Sequence, residues 1–466
     1  MATTTDGNDL AFLTDAGISI DDKIKQLKYK SIVIPVWNDL QKEYDKKQHP
    51  VFADPNYKDE IKSTGEVTKV SRIGLSLQKL AADRMTELTF GIPVKRIYKA
   101  TTPDEQKAAK ILEKIYLKNR IDSVNIDRGT SLFASCEFAT LWYAVAEQNS
   151  IYGEPSPLKL RCKTYSPMNG DFIYPLFDDN DDLIALSFLF SRSDGDKTTQ
   201  YFDTFTANRR IRWALPQGGG GWEEEINEEI KLGKIPAVYC YRPTPIWEDT
   251  SNEVSEIEWT LSRNGNYIRK NGKPLFALFA DKEIKYGGGN ENDSLAVRQF
   301  PQGSSAQYIT WSQSVDSIKL QIDNIYKAFF TQLQLPDMSF DSMKTTPMSG
   351  EARKMMFVDA YLKVLKERGR LLESLDREMN VIREYAKIMF PQYSNAFETL
   401  SIEQSITPYT ISDDKETIGN LMTATGGKPI ISQKEGVEFL GWSDDVEATM
   451  QQLQDENMSS ITQPTL

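Results

Sequence analysis

Histidine is almost missing from this chain. One residue in 466, His49, carries an imidazole, which removes most routes to histidine-based acid–base catalysis and to imidazole-rich zinc sites. It stands in the polar stretch Lys46, Lys47, Gln48 and is read as an exposed loop residue. Cysteine is nearly as scarce: Cys136, Cys162 and Cys240 form neither a CxxC pair nor a disulfide framework and read as buried free thiols. No apolar run reaches the roughly 18 residues of a membrane span before a charge interrupts it, and no signal-peptide pattern is present, so no membrane partner is expected. GxxxxGK[ST], GxSxG and HExxH are all lacking. The glycine run 218–221 leads into Trp222 and three glutamates, which makes it a loop and not a phosphate cradle. The chain is therefore not read as an enzyme, and no catalytic residue, cofactor or metal is expected.

Net positive charge is also lacking. Fifty-five Lys and Arg against 67 Asp and Glu leave a formal charge of −12, which argues against a large basic face gripping phosphates by counterion release. A surface that DNA slides past remains compatible, because negative walls repel a duplex. The acidic run Asp178, Asp179, Asn180, Asp181, Asp182 invites a calcium reading, but Leu183 and Leu189 stand where an EF-hand loop needs glycine and a bidentate glutamate. It reads as the turn of a hairpin between Phe172–Leu176 and Leu183–Phe190.

What is present is enough apolar material for a folded protein, 39% of residues, over a length that suits roughly two to four domains. The first 60 or so residues are polar, with one helix expected near 31–47. Val70, Ile73, Leu77, Leu80 and Leu88 give a helical pattern over 66–90, closed by Gly91 and Pro93. Another helix follows Pro103, carrying Ala108, Ile111, Leu112 and Ile115. From about 131 to 238 the period changes to two, with turn residues between short aromatic and aliphatic runs. A helix starts after Thr250 and Ser251 with Val254, Ile257, Leu261 and Ile268 on one face, acids early and bases late as its dipole favours. Asn271, Gly272 and Pro274 end it. A β-rich insert of about forty residues runs to Trp311. The next helix carries Ile318, Ile322, Ile325, Phe329 and Leu333 until Pro336, and after a loop a very long helix extends from 350 to 390, with Gly369 favouring a bend. Helical, acidic residues close the chain. Segregated helical and strand-rich regions make the fold class α+β.

The order of these features resembles the portal proteins of tailed bacteriophages, of the siphovirus type. SRIGLSLQKLAADRMTELTFGIPV at 71–94 looks like the family's early helix and its aromatic-Gly-x-Pro turn. KIPAVYCY at 234–241 looks like the strand before the first stem helix. Pro336 with Met348-Ser349-Gly350-Glu351-Ala352 looks like a tunnel loop and the start of the long helix, and 428–457 resembles the closing turn and acidic helix. The resemblance spans about 67–457. It implies a portal fold with an α/β wing, a two-helix stem, a β-rich clip, a long bent wing helix and a small helical crown. On this chain the N-terminal part of the wing is 1–237, the first stem helix region 238–271, the clip 272–313 and the second stem helix 314–335. The tunnel loop is 336–348, the long helix and return strand of the wing 349–411, and the crown and tail 412–466.

The resemblance further implies a homo-oligomeric ring, a dodecamer, at one capsid vertex of the virion, assembled in the host cytoplasm. It would be a sequence-independent conduit for double-stranded DNA in packaging and ejection, with terminase, the major capsid or scaffolding protein and a head-tail connector or adaptor as partners. Met343, Lys344, Thr345, Thr346 and Pro347 would face DNA. Asp281, Lys282, Glu283 and Lys285 would dock terminase and connector. Val254, Ile257, Leu261, Ile318, Ile322, Ile325 and Phe329 would pack the stem. Against this stand two alternatives: a coiled-coil structural adaptor without DNA passage, and a hydrolase or nuclease for which the sequence offers only the acidic turn.

Overall fold

The structure, a computed structural model, describes residues 10–29, 32–61, 65, 67–195, 197–271, 275–279, 305–309, 315–337, 355, 357–409, 414–426, 429–443 and 446–461. It is α+β, in two compact units: 1–337 with 363–408, and 338–362 with 409–466. Among the described residues no helix is long and apolar enough to cross a membrane.

The N-terminal stretch holds four short helices, α1 Ala11–Thr14, α2 Ile20–Leu27, α3 Trp37–Tyr44 and α4 Pro50–Ala53, and a small ladder of β1 Glu60–Ile61 with β2 Val67–Thr68. The helix expected near 31–47 is the shorter α3. The helix expected from 66 begins only at Leu77 (α5, Leu77–Phe90). Val70 and Ile73 lie outside it, their backbone N–H groups taken by the Asp59 carboxylate at 3.0 Å and by the Ser262 hydroxyl of a later helix at 2.9 Å. Strand β3 Lys95–Lys99 follows, then α6 Pro103–Lys118. The start of α6 is fixed by a reciprocal cap, Thr102 with Glu105, and Pro103 at its first position. Helix α7, Ile121–Ser135, has no counterpart in the sequence reading: it buries Asn125, Arg128, Ser131 and Ser135 beside Leu132 and Phe133, so its inward face is not an apolar stripe. The period-two region consequently starts at β4, Glu137–Asn149.

Two antiparallel sheets build the middle. β4 is flanked by β5 Ser156–Tyr165 and β11 Ala237–Tyr241. The consecutive strands β6 Phe172–Phe177, β7 Leu183–Asp194, β8 Lys197–Thr206, β9 Arg209–Pro216 and β10 Glu223–Glu229 form a five-stranded meander. The expected hairpin is β6–β7, and Asp178 closes it by accepting from the backbone N–H of Asn180 and Asp182 at 2.9 and 2.8 Å, which is turn chemistry. The glycine run turns β9 into β10, with Gly218 at φ +80°. Alternate residues of the two sheets share a core in which Tyr165 stacks on Phe188 at 4.0 Å, and the meander's other face buries Phe202, Ile211 and Trp213 under Leu13, Ile24 and Leu27 of the N-terminal helices. Of the cysteines, Cys136 and Cys240 are buried and Cys162 half-buried, all free thiols; burial pushes the Cys136 and Cys240 thiols up to about 12.

After α8 Ser251–Asn271, β12 Leu275–Phe279, β13 Ser305–Ile309 and α9 Val315–Leu333 comes the long helix α10, Val358–Met389. It runs unbroken through Gly369. α10 packs Met379, Ile382, Ala386 and Met389 against α6 and the face of β4 that carries Trp142. Inside that contact Arg128 and Glu378 pair bidentately at 2.5 and 3.2 Å while Trp142 donates to the same carboxylate at 2.9 Å. The pair's leftover donors reach Thr140 and Asn125, so the buried charges are compensated as burial demands. α11 Ser394–Thr399 and β14 Ser401–Ser405, antiparallel to β3, complete this unit. In the second unit α12 Asp414–Thr425, α13 Gln433–Leu440 and α14 Val446–Ile461 follow one another, α13 capped by Ser432 and Glu435 and tied to α14 by the Lys434–Glu447 ion pair.

Two helical glycines should respond oppositely to alanine. A Cβ on Gly129 would lie 2.9 Å from both Phe90 and Thr86, where α5 crosses α7, whereas one on Gly369 meets nothing within 4 Å. In urea denaturation of the isolated subunit, Gly129→Ala should lower stability by about 1–3 kcal/mol through overpacking. Gly369→Ala should raise it by about 0.5–1 kcal/mol.

Candidate functional site

Helices α8 and α9 come together as an antiparallel hairpin closed by the β12–β13 ladder, whose register runs from Leu275↔Ile309 to Phe279↔Ser305. Both helices follow from the apolar positions already named, and Gln332 donates to Glu253 at 3.0 Å and Gln321 to Glu256 at 3.3 Å across the pair. Burial is graded along it. Val254, Ile257 and Phe329 are buried, Leu261, Ile318, Ile322 and Ile325 are half-buried, and Ile268 and Leu320 are 56% and 61% exposed. The hairpin is thus packed at its root and leaves apolar surface toward the β12–β13 end.

The root of α9 is held by its terminus. Gln334 adopts the left-handed conformation, φ 54°, and the N–H of Leu335 reaches the carbonyl of Phe330 at 3.1 Å, a Schellman-type ending with Leu335 and Phe330 as its apolar pair. Arg84 donates to the carbonyl of Pro336 at 2.6 Å and lies over the Phe330 ring. The Lys363 ammonium donates to the carbonyl of Leu333; burial first, and then the neighbouring Arg242 charge, bring its pKa down to about 8.

α8 is held along its length by a device the sequence reading missed. The extended chain before α5 runs antiparallel beside it, and every second backbone N–H donates to a side chain one helical turn apart. Leu75 donates to Glu258 at 2.7 Å, Ile73 to Ser262 at 2.9 Å, and Ser71 to Asn266. The two spacings match: two extended residues advance about 6.6 Å, and four helical residues about 6 Å. Contact this close requires Gly265, where a Cβ would lie 2.6 Å from the Ser71 hydroxyl. Tyr57 braces the far end, donating to the carbonyl of Ser71 at 2.9 Å and meeting Asn266. The signal in the sequence was a Glu-Ser-Asn stripe at i, i+4, i+8, flanking the apolar one.

His49 belongs to the same mount, which corrects the expectation of an exposed loop residue. It is 2% exposed, with Nδ1 2.7 Å from Glu258 and Nε2 2.7 Å from the carbonyl of Glu43. The polar neighbours in sequence point away from it, while the turn at 46–48, closed by Asp45, folds the ring inward. The Glu43 carboxylate in turn accepts from Trp247 and Ser251, each at 2.8 Å. The other residues singled out from sequence, Asp281, Lys282, Glu283, Lys285, Met343, Lys344, Thr345, Thr346 and Pro347, lie outside the described residues.

A family model described as "Phage portal protein, SPP1 Gp6-like" matches residues 24–463. No curated protein compared with the chain matches it. Among solved structures, a chain from the neck of an empty gene transfer agent particle is similar at 10% identity, covering 86% of this chain and 95% of that one, with a TM-score of 0.40. A chain from the virion of a native gene transfer agent particle is similar at 10% identity, covering 91% and 99%, with a TM-score of 0.39.

The ladder beside α8 predicts the effect of a small change. Ser262 is fully buried, so Ser262→Ala strands the N–H of Ile73 and should cost about 1–3 kcal/mol in denaturant melts. Faster hydrogen exchange should be confined to the peptide spanning 70–76; exchange spread over the whole unit would contradict a local role.

Proposed function

Since this chain belongs to the SPP1 Gp6-like phage portal proteins, a structural and non-enzymatic family associated with the capsid, we propose that it forms a closed ring at one vertex through which double-stranded DNA enters and leaves. The observation that carries the ring is the graded burial of the α8–α9 hairpin. Ile318, Ile322 and Ile325 remain half-buried, and Ile268 and Leu320 exposed, in a single chain, and apolar area of this extent is stabilised when a neighbouring subunit covers it. The coiled-coil adaptor falls with the family assignment.

On this reading residues 1–237 and 349–411 are wing, 238–271 and 314–335 stem, 272–313 clip, 336–348 tunnel loop and 412–466 crown and tail. The clip's mixed charges, Asp281, Lys282, Glu283 and Lys285, suit a polar and exchangeable interface with terminase and then with a head-tail connector. Lys344, flanked by Met343, Thr345, Thr346 and Pro347, offers one cation per subunit to the phosphate backbone, enough for contacts that exchange as DNA advances and too few to hold it. The charge of −12 per subunit supports passage from the opposite side, by repelling the duplex from the walls. Scaffolding or major capsid protein would surround the ring, and assembly would take place in the host cytoplasm, with a dodecamer as the expected form.

Two substitutions test this. Ile322→Asp places an unpaired charge on the covered face of the hairpin and should abolish rings in native mass spectrometry while leaving folded subunits; complete rings would remove the stem assignment. Lys344→Glu should leave rings and terminase ATPase activity intact and shorten the DNA packaged or retained. Full-length genomes packaged at the wild-type rate would show that this charge does not work on DNA.

A further inference from the structure

The partners of His49 are both acceptors. A neutral imidazole carries one N–H, yet Nδ1 faces the Glu258 carboxyl and Nε2 the Glu43 carbonyl, each at 2.7 Å. With only that proton, one nitrogen would set its lone pair against an oxygen lone pair, in a site 2% exposed. Glu258 cannot relieve the conflict by turning away, because the same oxygen accepts from Leu75 at 2.7 Å. The arrangement therefore holds one proton more than a neutral imidazole and a carboxylate would, wherever along the His49–Glu258 hydrogen bond that proton sits.

We propose that this single proton latches residues 37–53, an arm made of α3, the turn at 46–48 and α4, onto α8, so that the arm is closed while the proton is bound and released once it leaves. His49 is the point where three elements converge: the arm that carries it, α8 through Glu258, and the extended chain before α5 through Leu75. The arm's other anchors are Leu40 and Val51, both buried, Phe52 against Gly74, and the Glu43 carboxylate, which accepts from Trp247 and Ser251. The groups around the ring favour a cation. Glu258 faces it from α8, Glu43 and Asp45 from the arm, and Tyr44 and Asp83 beside them contribute no positive charge, burial holding the Tyr44 hydroxyl up at about 12 and the Asp83 carboxyl above its ordinary range.

Burial by itself would strip the imidazole of its proton, but the hydrogen bond and charge of Glu258, with the Glu43 carbonyl and Asp45, together hold its pKa above the ordinary 6.5. The sign follows: a folded-state pKa above the unfolded one gives stability that is fully present below about 6.5 and lost as pH rises through the folded value. The chain has one histidine, so a single variant, His49→Gln, decides whether a transition of the arm in this range belongs to it. The latch does not depend on assembly of subunits into a closed ring.

Hydrogen exchange of the full-length protein, corrected for the intrinsic pH dependence of exchange and run from about pH 6 to about pH 9, tests the latch. In the wild type, protection of 37–53 and of 70–76 should fall severalfold together as pH rises. His49→Gln, which keeps a donor and loses the titrating proton, should make protection of the arm independent of pH. Glu258→Gln keeps the acceptor for Leu75 and removes the charge that retains the proton, so it should move the transition to lower pH. Protection of the arm unchanged over the range in the wild type, a pH dependence retained in His49→Gln, or a midpoint unmoved in Glu258→Gln would each overturn the proposal. Should His49→Gln fail to fold, the wild type and Glu258→Gln decide it between them.

Discussion

Helix α8 has to satisfy two surfaces at once, and the polar one sets the terms for the other. Along one stripe it turns Val254 and Ile257 into the core; along another it offers Glu258, Ser262 and Asn266 to the N–H groups of Leu75, Ile73 and Ser71. Extended backbone cannot be buried beside a helix unless its N–H groups find acceptors. The near-equality of two extended steps and one helical turn lets a helix supply them at regular spacing. This explains why α5 begins at Leu77 and not at 66. It also explains why a mid-helix glycine is used at 265, and why the only imidazole in the chain is buried.

A second fixed point lies where α10 meets the sheets. Arg128, Glu378 and Trp142 come from a helix, a distant helix and a strand, and each satisfies a group that would otherwise be stranded. Removing one member of such a buried pair costs about 3–5 kcal/mol, although the intact pair contributes little over an apolar replacement. Its value is in geometry: the bidentate fork fixes the rotation of α10 about its axis. Apolar contacts of Met379, Ile382 and Ala386 with α6 then supply the area, and Tyr385 adds a hydrogen bond to the carbonyl of Trp142 at 3.0 Å.

The sequence is legible where a single physical requirement dominates a segment. The capped helix α6, the amphipathic helices α8 and α9, the β6–β7 hairpin and the α+β class all follow from periodicity and turn chemistry, and the portal resemblance follows from their order. It is illegible where polar side chains do the packing. α7 buries Asn125, Arg128, Ser131 and Ser135, so hydrophobic periodicity has nothing to report. His49 sits among lysines in the chain and among acceptors in the fold. The stripe of half-buried isoleucines on α9 was visible, but that its root is buried and its far end exposed depends on Phe330 and Leu335 at the end of the helix and on Arg84 from α5, far away in the chain.

The ladder also fixes what the apolar stripe leaves open. An apolar stripe with a repeat of three or four residues fits its groove almost as well after sliding one turn, since leucine-like side chains are similar in volume and indifferent to direction. The polar ladder does not tolerate the slip. Moved one turn one way, the N–H of Leu75 would face Val254, which has no acceptor; moved the other way, the N–H of Ser71 would face Lys270, another donor. Either displacement strands a buried group and costs on the order of 1–3 kcal/mol, comparable to burying a whole aliphatic side chain. Apolar surface therefore supplies the strength of the hairpin's mount, while three hydrogen bonds with mismatched neighbours at both ends supply its register.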